Sequence, residues 1–317
     1  MTNASVPLHI GVIIGTRNRV AALLTCVSSL VSQTRRPDEV IIIDDGAMDD
    51  TGIRRLFARH SIRYRYVKKE DHFGLVYSRN MGARLLTSDI ALFLDDDVIL
   101  DRGYIEAILR VYQQDTDGTV GGVGGVLVDR RASYAKRLFL WIFGLYRFHK
   151  DGLILPNGFG VLIRDIDQIE RVDWLSGCNM SFRRAVVEEF RFDESLRDNG
   201  WGDDKDFSYR VARRYTLLAT PHARVVHLED KEGRVTKREF GFIEIYHQYV
   251  FFRNHMSKCP GTWLAFWWAL TGLLLKNLLT ARLNQAGGNL SAMAAIVKET
   301  IRKGDGTDVS CNTQAIL

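Results

Sequence analysis

The segment Ile90–Leu100 (IALFLDDDVIL) is an apolar run interrupted by three consecutive aspartates, Asp95, Asp96 and Asp97. A short continuous apolar run is typical of a strand buried on both faces of a sheet. Adjacent carboxylates repel one another and lose hydration at the end of such a strand, so this arrangement lowers stability unless a cation joins it. The segment therefore predicts a buried strand whose carboxyl end binds a positively charged ligand.

The chain before this segment alternates between strand-like and helix-like patterns. The predicted strands are 8–15, 39–44, 63–67 and 90–94, and the predicted helices are 20–31, 50–59, 75–87 and 103–114. Strands that alternate with helices indicate a doubly wound α/β fold, with a mostly parallel central sheet flanked by helices. In such a fold, ligands bind beyond the carboxyl ends of the strands.

Polar side chains follow three of these strands, at the edge where a ligand is expected. They are Thr16, Arg17 and Asn18 after the first strand, Asp44 and Asp45 after the second, and Asp95, Asp96 and Asp97 after the fourth. A single acidic residue at a strand end is often a helix cap. Three polar strand ends at one edge of a sheet favour a ligand site over coincidence.

The aspartate run has the residue types that a hard divalent cation prefers. Successive side chains of a strand point to opposite faces, so Asp95 and Asp97 are predicted to share one face and Asp96 to point away. Mg²⁺ and Mn²⁺ bind one or two protein carboxylates and complete their coordination with water and substrate phosphates, whereas the twelve-residue calcium loop pattern is absent. His227, after a predicted strand at 223–227, is a candidate further ligand, although a lone histidine is more often structural.

A second acidic cluster, GWGDDKDF, begins a predicted helix at Asp203. Carboxylates at a helix start usually stabilise the helix, but three of them within four residues, following Trp201, exceed what a cap requires. A metal-bound diphosphate is a good leaving group, and the remaining need is a base that removes a proton from an incoming hydroxyl. Asp203 or Asp204 could supply it, because burial and a neighbouring carboxylate raise the pKa of one of them.

Composition sets wider limits. The chain has 317 residues, 46% hydrophobic and 26% charged, which is ordinary for a globular protein, and its formal charge of +5 suits an anionic partner without choosing among nucleic acid, phosphates and a membrane. Its four cysteines are far apart and form no CxxC pair, and the N-terminus has no signal-like pattern, so a reduced cytosolic protein is expected. The glycine-rich run 121–126 predicts a closely packed or bulged strand, not a phosphate loop.

The last quarter of the sequence is predicted to be helical. The uncharged run 262–275 (TWLAFWWALTGLLL) is shorter than the roughly twenty residues that a spanning helix needs. Its tryptophans and the flanking Arg253, Lys258, Lys276 and Arg282 favour a segment at a bilayer interface over a core helix or a dimer interface. The basic, aromatic segment 136–150 has the same character, and residues after 304 are predicted to be disordered.

Seven motifs in order resemble those of the inverting, GT-A-fold, family-2 glycosyltransferases. The resemblance covers roughly residues 8 to 230, and its motifs are TRNR (16–19), IIIDDGAMDDT (41–51), SRNMGAR (78–84), FLDDDV (93–98), WLSGCNMSFRR (174–184), GWGDDKDF (200–207) and ARVVH (223–227). It implies a Rossmann-like GT-A fold with a helical C-terminal extension. The implied domains are 1–235, with a nucleotide-sugar half at 1–130 and an acceptor half at 131–235, a helical region at 236–303, and a disordered tail at 304–317.

The resemblance also implies a role for each matched residue. Asp204 would be the catalytic base, and Asp203, where the family more often has glutamate, would orient the acceptor. The nucleotide would contact Thr16, Arg17, Asn18, Asp44, Asp45, Arg79, Asp95 and Asp96. The metal, Mn²⁺ or Mg²⁺, would be bound by Asp97, Asp95 and His227. The acceptor would contact Trp174, Gly177, Asn179 and Trp201.

The implied reaction is a single in-line displacement that inverts the anomeric carbon of a nucleoside diphosphate sugar, with a UDP-sugar favoured. The acceptor would be a hydroxyl of a glycan or lipid-linked glycan, in cell-surface polysaccharide synthesis, and no nucleic acid partner is expected. The expected location is the cytoplasm, peripheral at the inner face of the plasma membrane.

Three other functions remain open at this point. A sugar nucleotidyltransferase could use a similar sheet, but it would want a glycine-rich phosphate loop, and the TRNR stretch at 16–19 has no glycine. A glycoside hydrolase uses two carboxylates without needing a nucleotide site or a metal. A non-catalytic membrane-associated scaffold would keep the fold alone, although every charged group that the transfer mechanism needs is present.

Overall fold

The computed structural model describes residues 7–70, 74–128, 132–196, 201–228 and 235–303. These residues form a nine-stranded mixed sheet, mostly parallel in its first half, with helices around it and a set of C-terminal helices. The predicted α/β class is therefore confirmed. The predicted disordered tail lies outside the described residues.

The strands follow the predicted positions closely in the first third of the chain. They are β1 Ile10–Thr16, β2 Glu39–Asp44, β3 Arg63–Lys68, β4 Ile90–Asp95, β5 Val98–Leu100, β6 Val120–Leu127, β7 Glu170–Val172, β8 Asn179–Arg183 and β9 Thr216–His227. β1, β2 and β4 are almost wholly buried, as their continuous apolar sequences predict. The strand predicted at 223–227 is longer than expected, because its first half pairs with β6 and β7.

The spacing of apolar residues and the residues at the helix starts account for the helices. They are α1 Val20–Val31, α2 Thr51–Arg59, α3 Gly74–Leu85, α4 Tyr104–Gln114, α5 Tyr134–Ile142, α6 Arg184–Phe190, α7 Asp203–Ala212, α8 Lys237–His255, α9 Pro260–Leu279 and α10 Leu283–Lys303. α1 ends at the predicted residues and buries its apolar face against the sheet. α8 begins with a capping box between Thr236 and Glu239.

The order of strands puts a ligand crevice beside β1. The sheet runs β3-β2-β1-β4-β8-β6-β9-β5, with β7 paired to β9. β1 is parallel to β2 on one side and to β4 on the other, so the chain leaves β1 in one direction and later returns on its other side. Such a reversal opens a crevice at the carboxyl ends of the strands. Thr16 and Asp44 are register partners there, and Gly15 is the partner of Asp95.

The glycine-rich strand β6 is closely packed, as one of its two sequence interpretations predicts. It is buried along its whole length, and its register with β9 shifts at two points. A Cβ on Gly125 would lie 2.3 Å from the carbonyl oxygen of Ala223, so only glycine lets the two backbones approach this closely. The strand is a packing element and not a phosphate loop.

The chain divides into two compact units. One contains residues up to 129 together with 162–233, and the other contains 130–161 together with the chain from 234 onward. The predicted end of the first domain at residue 235 falls close to this second division. The segment 131–161, which the sequence assigns to the acceptor half, instead groups with the C-terminal helices, because Leu155, Phe159 and Val161 share an apolar core with α8, α9 and α10.

The second unit is helical and exposes apolar side chains. α5 has no buried residue, and its Trp141 side chain is 53% exposed. Trp268 of α9 is half exposed, stacks on Phe143, and donates its indole N–H to the Ile142 carbonyl at 2.8 Å. No helix in the described ranges combines the length and the apolar character that crossing a bilayer would require.

Candidate active site

The three aspartates lie in a tight turn at the carboxyl end of β4. Asp95 is the last residue of that strand, and Asp96 and Asp97 connect it to β5. The side chains of Asp96 and Asp97 are buried, with 0% and 1% of their surfaces exposed, whereas 24% of the Asp95 side chain is exposed to solvent. Asp95 is therefore the carboxylate that an arriving ligand meets first.

His227 completes a group of three possible metal ligands. The antiparallel pairing of β5 with β9 makes Val98 the register partner of His227, which brings the histidine back to the aspartate turn. Its Nε2 lies 3.0 Å from Asp97 Oδ1 and 3.8 Å from Asp95 Oδ2, and the three donor atoms all lie within 4.8 Å of one another. Two carboxylates and an imidazole form a donor set that fits Mn²⁺, an ion that completes its coordination with oxygens of water or phosphate.

Asp96 points away from this group, as the alternation of strand side chains predicts. Its Oδ2 accepts a hydrogen bond of 2.6 Å from Thr16 Oγ1, and its Oδ1 lies 2.7 Å from the guanidinium of Arg19. Burial raises the pKa of Asp96 to about 7; Arg19 and Thr16 oppose this rise, and the carboxylates on either side add to it. Arg19 and Thr16 thus hold the Asp96 side chain in place, but they do not cancel the effect of burial on its pKa.

The two acids after β2 have different surroundings. Asp44 is fully buried and accepts hydrogen bonds from the backbone N–H groups of Gly46 and Met48 and from the hydroxyl of Tyr66. It fixes the loop that follows β2. Asp45 pairs with the buried Lys69 at 3.1 Å. Nucleotide binding by both acids stays a prediction, and the structure places Asp44 in a loop-holding role in addition.

Of the other predicted nucleotide contacts at this edge, Arg17 and Asn18 are exposed beyond β1. Asn18 adopts a left-handed conformation, with φ of 56°. This places it close to Gly46, where a Cβ would come within 2.4 Å of the Asn18 side-chain oxygen. The loops that follow β1 and β2 are therefore in contact, as a shared nucleotide site requires.

The second acidic cluster starts α7 but does not cap it. The N-cap position is Gly202, whose φ of 85° is one that glycine adopts freely, and no side chain caps the helix there. Asp203 is 1% exposed and pairs with Arg79 at 2.5 Å. Asp204 is partly exposed and accepts hydrogen bonds of 2.7 Å from the N–H groups of Gly177 and Lys205. The two carboxylates thus have separate partners, and neither caps α7 from the N-cap position, although Asp204 accepts one N–H of its first turn.

Arg79 joins the two acidic groups. Its guanidinium reaches Asp203 with one nitrogen, while the other donates to the Gly177 carbonyl at 3.0 Å and lies 3.4 Å from Asp95 Oδ1. A Cβ on Gly177 would lie 2.6 Å from this nitrogen, so glycine is needed for the contact. Arg79 is 4% exposed. Its observed partners belong to the protein, and its predicted contact with the nucleotide stays untested.

The carboxylates at the start of α7 have raised pKa values. Burial is the main cause for both Asp203 and Asp204, and Arg79 acts in the opposite direction. Lys205, also buried, has its pKa lowered to about 7 by desolvation, against the pull of Asp204 and Asp206. A carboxyl group whose pKa moves towards neutrality is better suited to take up a proton from a hydroxyl than an exposed aspartate is.

The predicted acceptor residues are only partly assembled. Gly177 lies between Arg79 and Asp204, as described above. Trp174 and Asn179 are buried, with 7% and 1% of their surfaces exposed, and the Asn179 carbonyl accepts a hydrogen bond from the Tyr104 hydroxyl. Trp201 is half buried, with the Lys205 ammonium 6.0 Å from its ring centre. Acceptor contact by these residues stays a prediction.

Sequence reasoning missed three charged residues that the structure brings to this edge: Arg19, Lys69 and Lys205. Each pairs with or lies beside an acid that the sequence did single out. Arg19 was visible as a basic residue after the first strand. Its partners follow the neighbouring strand β4, and only the sheet order reveals that β1 and β4 are adjacent.

Solved structures of glycosyltransferases share this architecture, and they define it as the GT-A fold. GalNAc-T7 with UDP, GalNAc and Mn²⁺ aligns with a TM-score of 0.60 at 15% identity, over 78% of this chain and 48% of that chain. The mannosyltransferase PcManGT from Pyrobaculum calidifontis, in complex with GDP-Man and Mn²⁺, aligns with a TM-score of 0.55 at 19% identity, over 95% of this chain and 77% of that one.

The sequence comparison gives the family. The sequence model of Glycosyl transferase family 2 matches residues 11–190, which is more than half of the chain, and the chain belongs to that family. One similar protein is the glucosyl-dolichyl phosphate glucuronosyltransferase of Haloferax volcanii, 28% identical over 174 residues. That match covers 51% of this chain and 48% of the relative, so the present chain spans about half of the relative's length.

Proposed function

We propose that this protein is a metal-dependent, inverting glycosyltransferase that moves a sugar from a nucleoside diphosphate sugar to a hydroxyl group. One observation carries the proposal. The buried Arg79 contacts Asp95 of the three-ligand group and Asp203 of the second acidic pair, so a metal-type site and a base-type site lie next to each other. Transfer of a sugar from a nucleoside diphosphate requires the metal site and the base to act at the same anomeric carbon.

One set of residues acts on the leaving diphosphate, and another acts on the acceptor hydroxyl, which is the nucleophile. Asp97, Asp95 and His227 would hold Mn²⁺ or Mg²⁺, which would neutralise the charge that develops on the departing diphosphate. Asp204 takes the proton of the acceptor hydroxyl, the acceptor oxygen forms a bond to the anomeric carbon, and the carbon–oxygen bond to the diphosphate breaks with its electron pair going to the phosphate. Arg79 keeps Asp203 in place beside Asp204.

The surroundings of Asp204 favour a base over a nucleophile. Each of its oxygens already accepts one backbone N–H, from Gly177 and from Lys205. These bonds fix the carboxylate and leave a lone pair on each oxygen for a substrate hydroxyl. A single displacement with this base inverts the anomeric carbon, which product stereochemistry measured by NMR would test. Retention of configuration would exclude the mechanism.

The donor is proposed to be a UDP-sugar. The nucleotide would lie across the carboxyl ends of β1 and β2, where Asp45, Asn18 and Thr16 offer acceptors and donors for a base and a ribose. Two structural neighbours were solved with UDP and with GDP-Man, so both nucleotides belong in the first screen. Mn²⁺ is favoured over Mg²⁺ because Mg²⁺ is the harder ion and accepts the imidazole nitrogen of His227 less readily.

The acceptor is proposed to be a glycan carried on a lipid at an anionic membrane surface. Two segments of the second unit, 132–150 and 256–283, hold seven lysines and arginines and no aspartate or glutamate. They expose Trp141, Trp268 and Leu264. Exposed tryptophans among cations are typical of surfaces that bind the interface of an anionic bilayer.

Incubation with a panel of nucleotide sugars tests the reaction. We expect release of a nucleoside diphosphate that EDTA abolishes and that Mn²⁺ restores. Release of pyrophosphate from a sugar phosphate and a nucleoside triphosphate would instead identify a nucleotidyltransferase. Cleavage of glycans without any nucleotide would identify a hydrolase. If Asp204→Asn left the cellular role intact, the protein would be a scaffold.

Flotation with liposomes tests the membrane contact. We expect the full chain to float with vesicles containing anionic lipid at low salt, and to stay in solution with neutral vesicles. Replacing Trp141 and Trp268 together by serine should abolish flotation, whereas Leu24→Ser, an exposed apolar residue of α1, should not. Wild-type protein that does not float would contradict this part of the proposal and leave the proposed reaction standing.

A further inference from the structure

Arg19, the last residue of the TRNR stretch, contacts two of the three aspartates in the acidic turn. It precedes α1, and its guanidinium lies 2.7 Å from Asp96 Oδ1 and 3.3 Å from Asp97 Oδ2. The other oxygen of Asp97 faces His227 at 3.0 Å. One carboxylate of the three-ligand group is therefore shared between a permanent cation and the position proposed for a divalent one.

This position has an electrostatic consequence. The turn carries three aspartates, and Arg19 removes one unit of that negative charge. A divalent cation at Asp95, Asp97 and His227 would lie within a few ångströms of the guanidinium, at a distance where two positive charges repel strongly even at a partly exposed site. Arg19 therefore weakens the binding of a metal ion that arrives alone.

When a diphosphate is bound as well, Arg19 no longer weakens the binding of the metal ion but strengthens it. The diphosphate oxygens are negative, and they would bind the metal ion and a guanidinium at the same time. The planar fork of arginine suits phosphate oxygens, and 20% of the Arg19 side chain is exposed, so it can turn towards a ligand in the crevice. Its partner Asp96 would keep the hydrogen bond from Thr16.

We propose that Arg19 couples the two ligands, so that the site takes up a divalent cation and a diphosphate together and binds the cation weakly by itself. This inference rests on the proposed function and adds a binding residue that contacts the diphosphate. It also says why the turn carries one more carboxylate than the metal needs: Asp96 holds Arg19 beside the site. In thermodynamic terms, Arg19 raises the coupling between metal binding and diphosphate binding.

A purely structural role makes a different prediction. If Arg19 only neutralises Asp96 and holds the turn together, its removal would loosen the whole site, and the affinities for metal and for diphosphate would fall together. If it couples the two ligands, its removal changes the two affinities in opposite directions. The sign of the change in metal affinity therefore separates the two roles.

The test is a pair of titrations by calorimetry on the full chain, with Arg19→Gln beside the wild type. The first titrates Mn²⁺ alone. The second titrates UDP or GDP, whichever raises the wild-type melting temperature more, at saturating Mn²⁺. For Arg19→Gln we expect Mn²⁺ alone to bind about fivefold more tightly and the diphosphate to bind about tenfold more weakly, within the usual range of coupling between sites.

Two further variants serve as controls. Arg110→Gln removes the same charge from an exposed position on α4, where its partner is Glu106, and should change neither affinity. Arg19→Lys keeps the charge and loses the fork, so Mn²⁺ alone should bind as it does to the wild type, while the diphosphate should bind more weakly. If Arg19→Gln does not fold, the lysine variant decides, and equal loss of both affinities in it would overturn the inference.

The outcomes separate this inference from the proposed function. Wild-type protein that binds Mn²⁺ and diphosphate, with Arg19→Gln unchanged or weakened equally for both, overturns the coupling role alone. Wild-type protein that binds neither overturns the proposed function and the coupling role together. Opposite changes in the two affinities support both.

Discussion

Two buried carboxylates at opposite edges of the same sheet have opposite chemistry. Glu39, at the start of β2, accepts four hydrogen bonds of 2.6 to 3.0 Å from the backbone N–H groups and hydroxyls of Thr87 and Ser88. Burial acts to raise its pKa, but these hydrogen bonds together outweigh burial and lower it. At the carboxyl edge, burial prevails, and the pKa of Asp203 is raised.

The difference teaches that burial alone does not decide whether the pKa of an acid ends above or below its ordinary value. What decides is the number of donors that the fold supplies. Glu39 receives four donors on Oε1, so its charge is part of the stable fold. One oxygen of Asp203 has no hydrogen-bond partner within the described residues, although Arg79 reaches the other. A carboxylate with an oxygen that accepts no hydrogen bond, placed where a ligand is expected to bind, is suited to interact with a hydroxyl group or a cation.

Removal of the proposed base should give the largest effect. Asp204→Asn keeps the shape of the side chain but cannot accept the acceptor's proton, and we expect kcat to fall by about 10³-fold, the usual scale of general base catalysis. The affinity for nucleoside diphosphate with Mn²⁺ should stay close to that of the wild type. A variant that keeps more than a tenth of wild-type kcat would show that Asp204 is not the base.

The pH dependence of the reaction should show the same acid. The pKa of Asp204 is raised, chiefly by burial, and the base must be ionised to work. The rate should therefore rise with pH, about tenfold per unit on the acidic side, and level off at a pH above 3.8, the ordinary pKa of an aspartate. Asp203→Asn should move this midpoint downwards, because it removes a neighbouring negative charge. A pH profile that is flat down to pH 4 would contradict the assignment.

Much of the fold could be predicted because its signals are local. The continuous apolar run of β2 and the apolar spacing of α1 give both elements their observed ends. The three acidic or polar strand ends were also visible. The partners of those acids were not, because Arg19 and Lys69 meet Asp96 and Asp45 only through the loops beyond neighbouring strands.

The division of the chain shows a second limit of sequence reasoning. Segment 130–161 lies between β6 and β7 in sequence, and its basic, aromatic composition fits an acceptor pocket as well as a helical unit. Its apolar residues Leu155 and Phe159 share a core with helices more than eighty residues further along. Apolar spacing tells which residues are buried, but it does not tell against which partner.

A methyl group at the junction of the two acidic groups should give an intermediate effect. In Gly177→Ala, the new Cβ would lie 2.6 Å from the guanidinium of Arg79, which is held by Asp203 and cannot swing to solvent without leaving that ion pair. We expect kcat to fall about tenfold and stability to fall by about 1–2 kcal/mol, the usual cost of overpacking. Kinetics and urea denaturation measure the two effects.

The matched control is Gly52→Ala, because Gly52 lies in α2 with open space around its Cβ position. That change should leave kcat unaltered and keep or slightly raise stability, since alanine favours a helix. Equal behaviour of the two variants would mean that Arg79 is free to move, and that it does not hold Asp203 beside Asp204.

The smallest effect on catalysis is expected at the opposite edge of the sheet. Glu39→Gln removes the charge that the hydrogen bonds from Thr87 and Ser88 favour, and it should lower the free energy of unfolding at pH 7 by about 1–3 kcal/mol. The kcat of the folded protein should not change, because Glu39 lies at the amino-terminal edge, away from the crevice.

The effect of pH on this loss gives the sharpest check of the comparison. The pKa of Glu39 is lowered in the folded state, so its contribution to stability is fully present above its ordinary value of 4.5 and is lost as pH falls through the folded pKa. The gap between wild type and Glu39→Gln in urea denaturation should therefore be constant from pH 8 to about pH 5 and shrink below that. For Asp203 the sign is opposite: its raised pKa favours the folded state at low pH, and that contribution disappears as pH rises through the folded pKa. A gap for Glu39→Gln that grows on acidification would mean that the four hydrogen bonds do not favour the charged form, and the contrast between the two edges would fail.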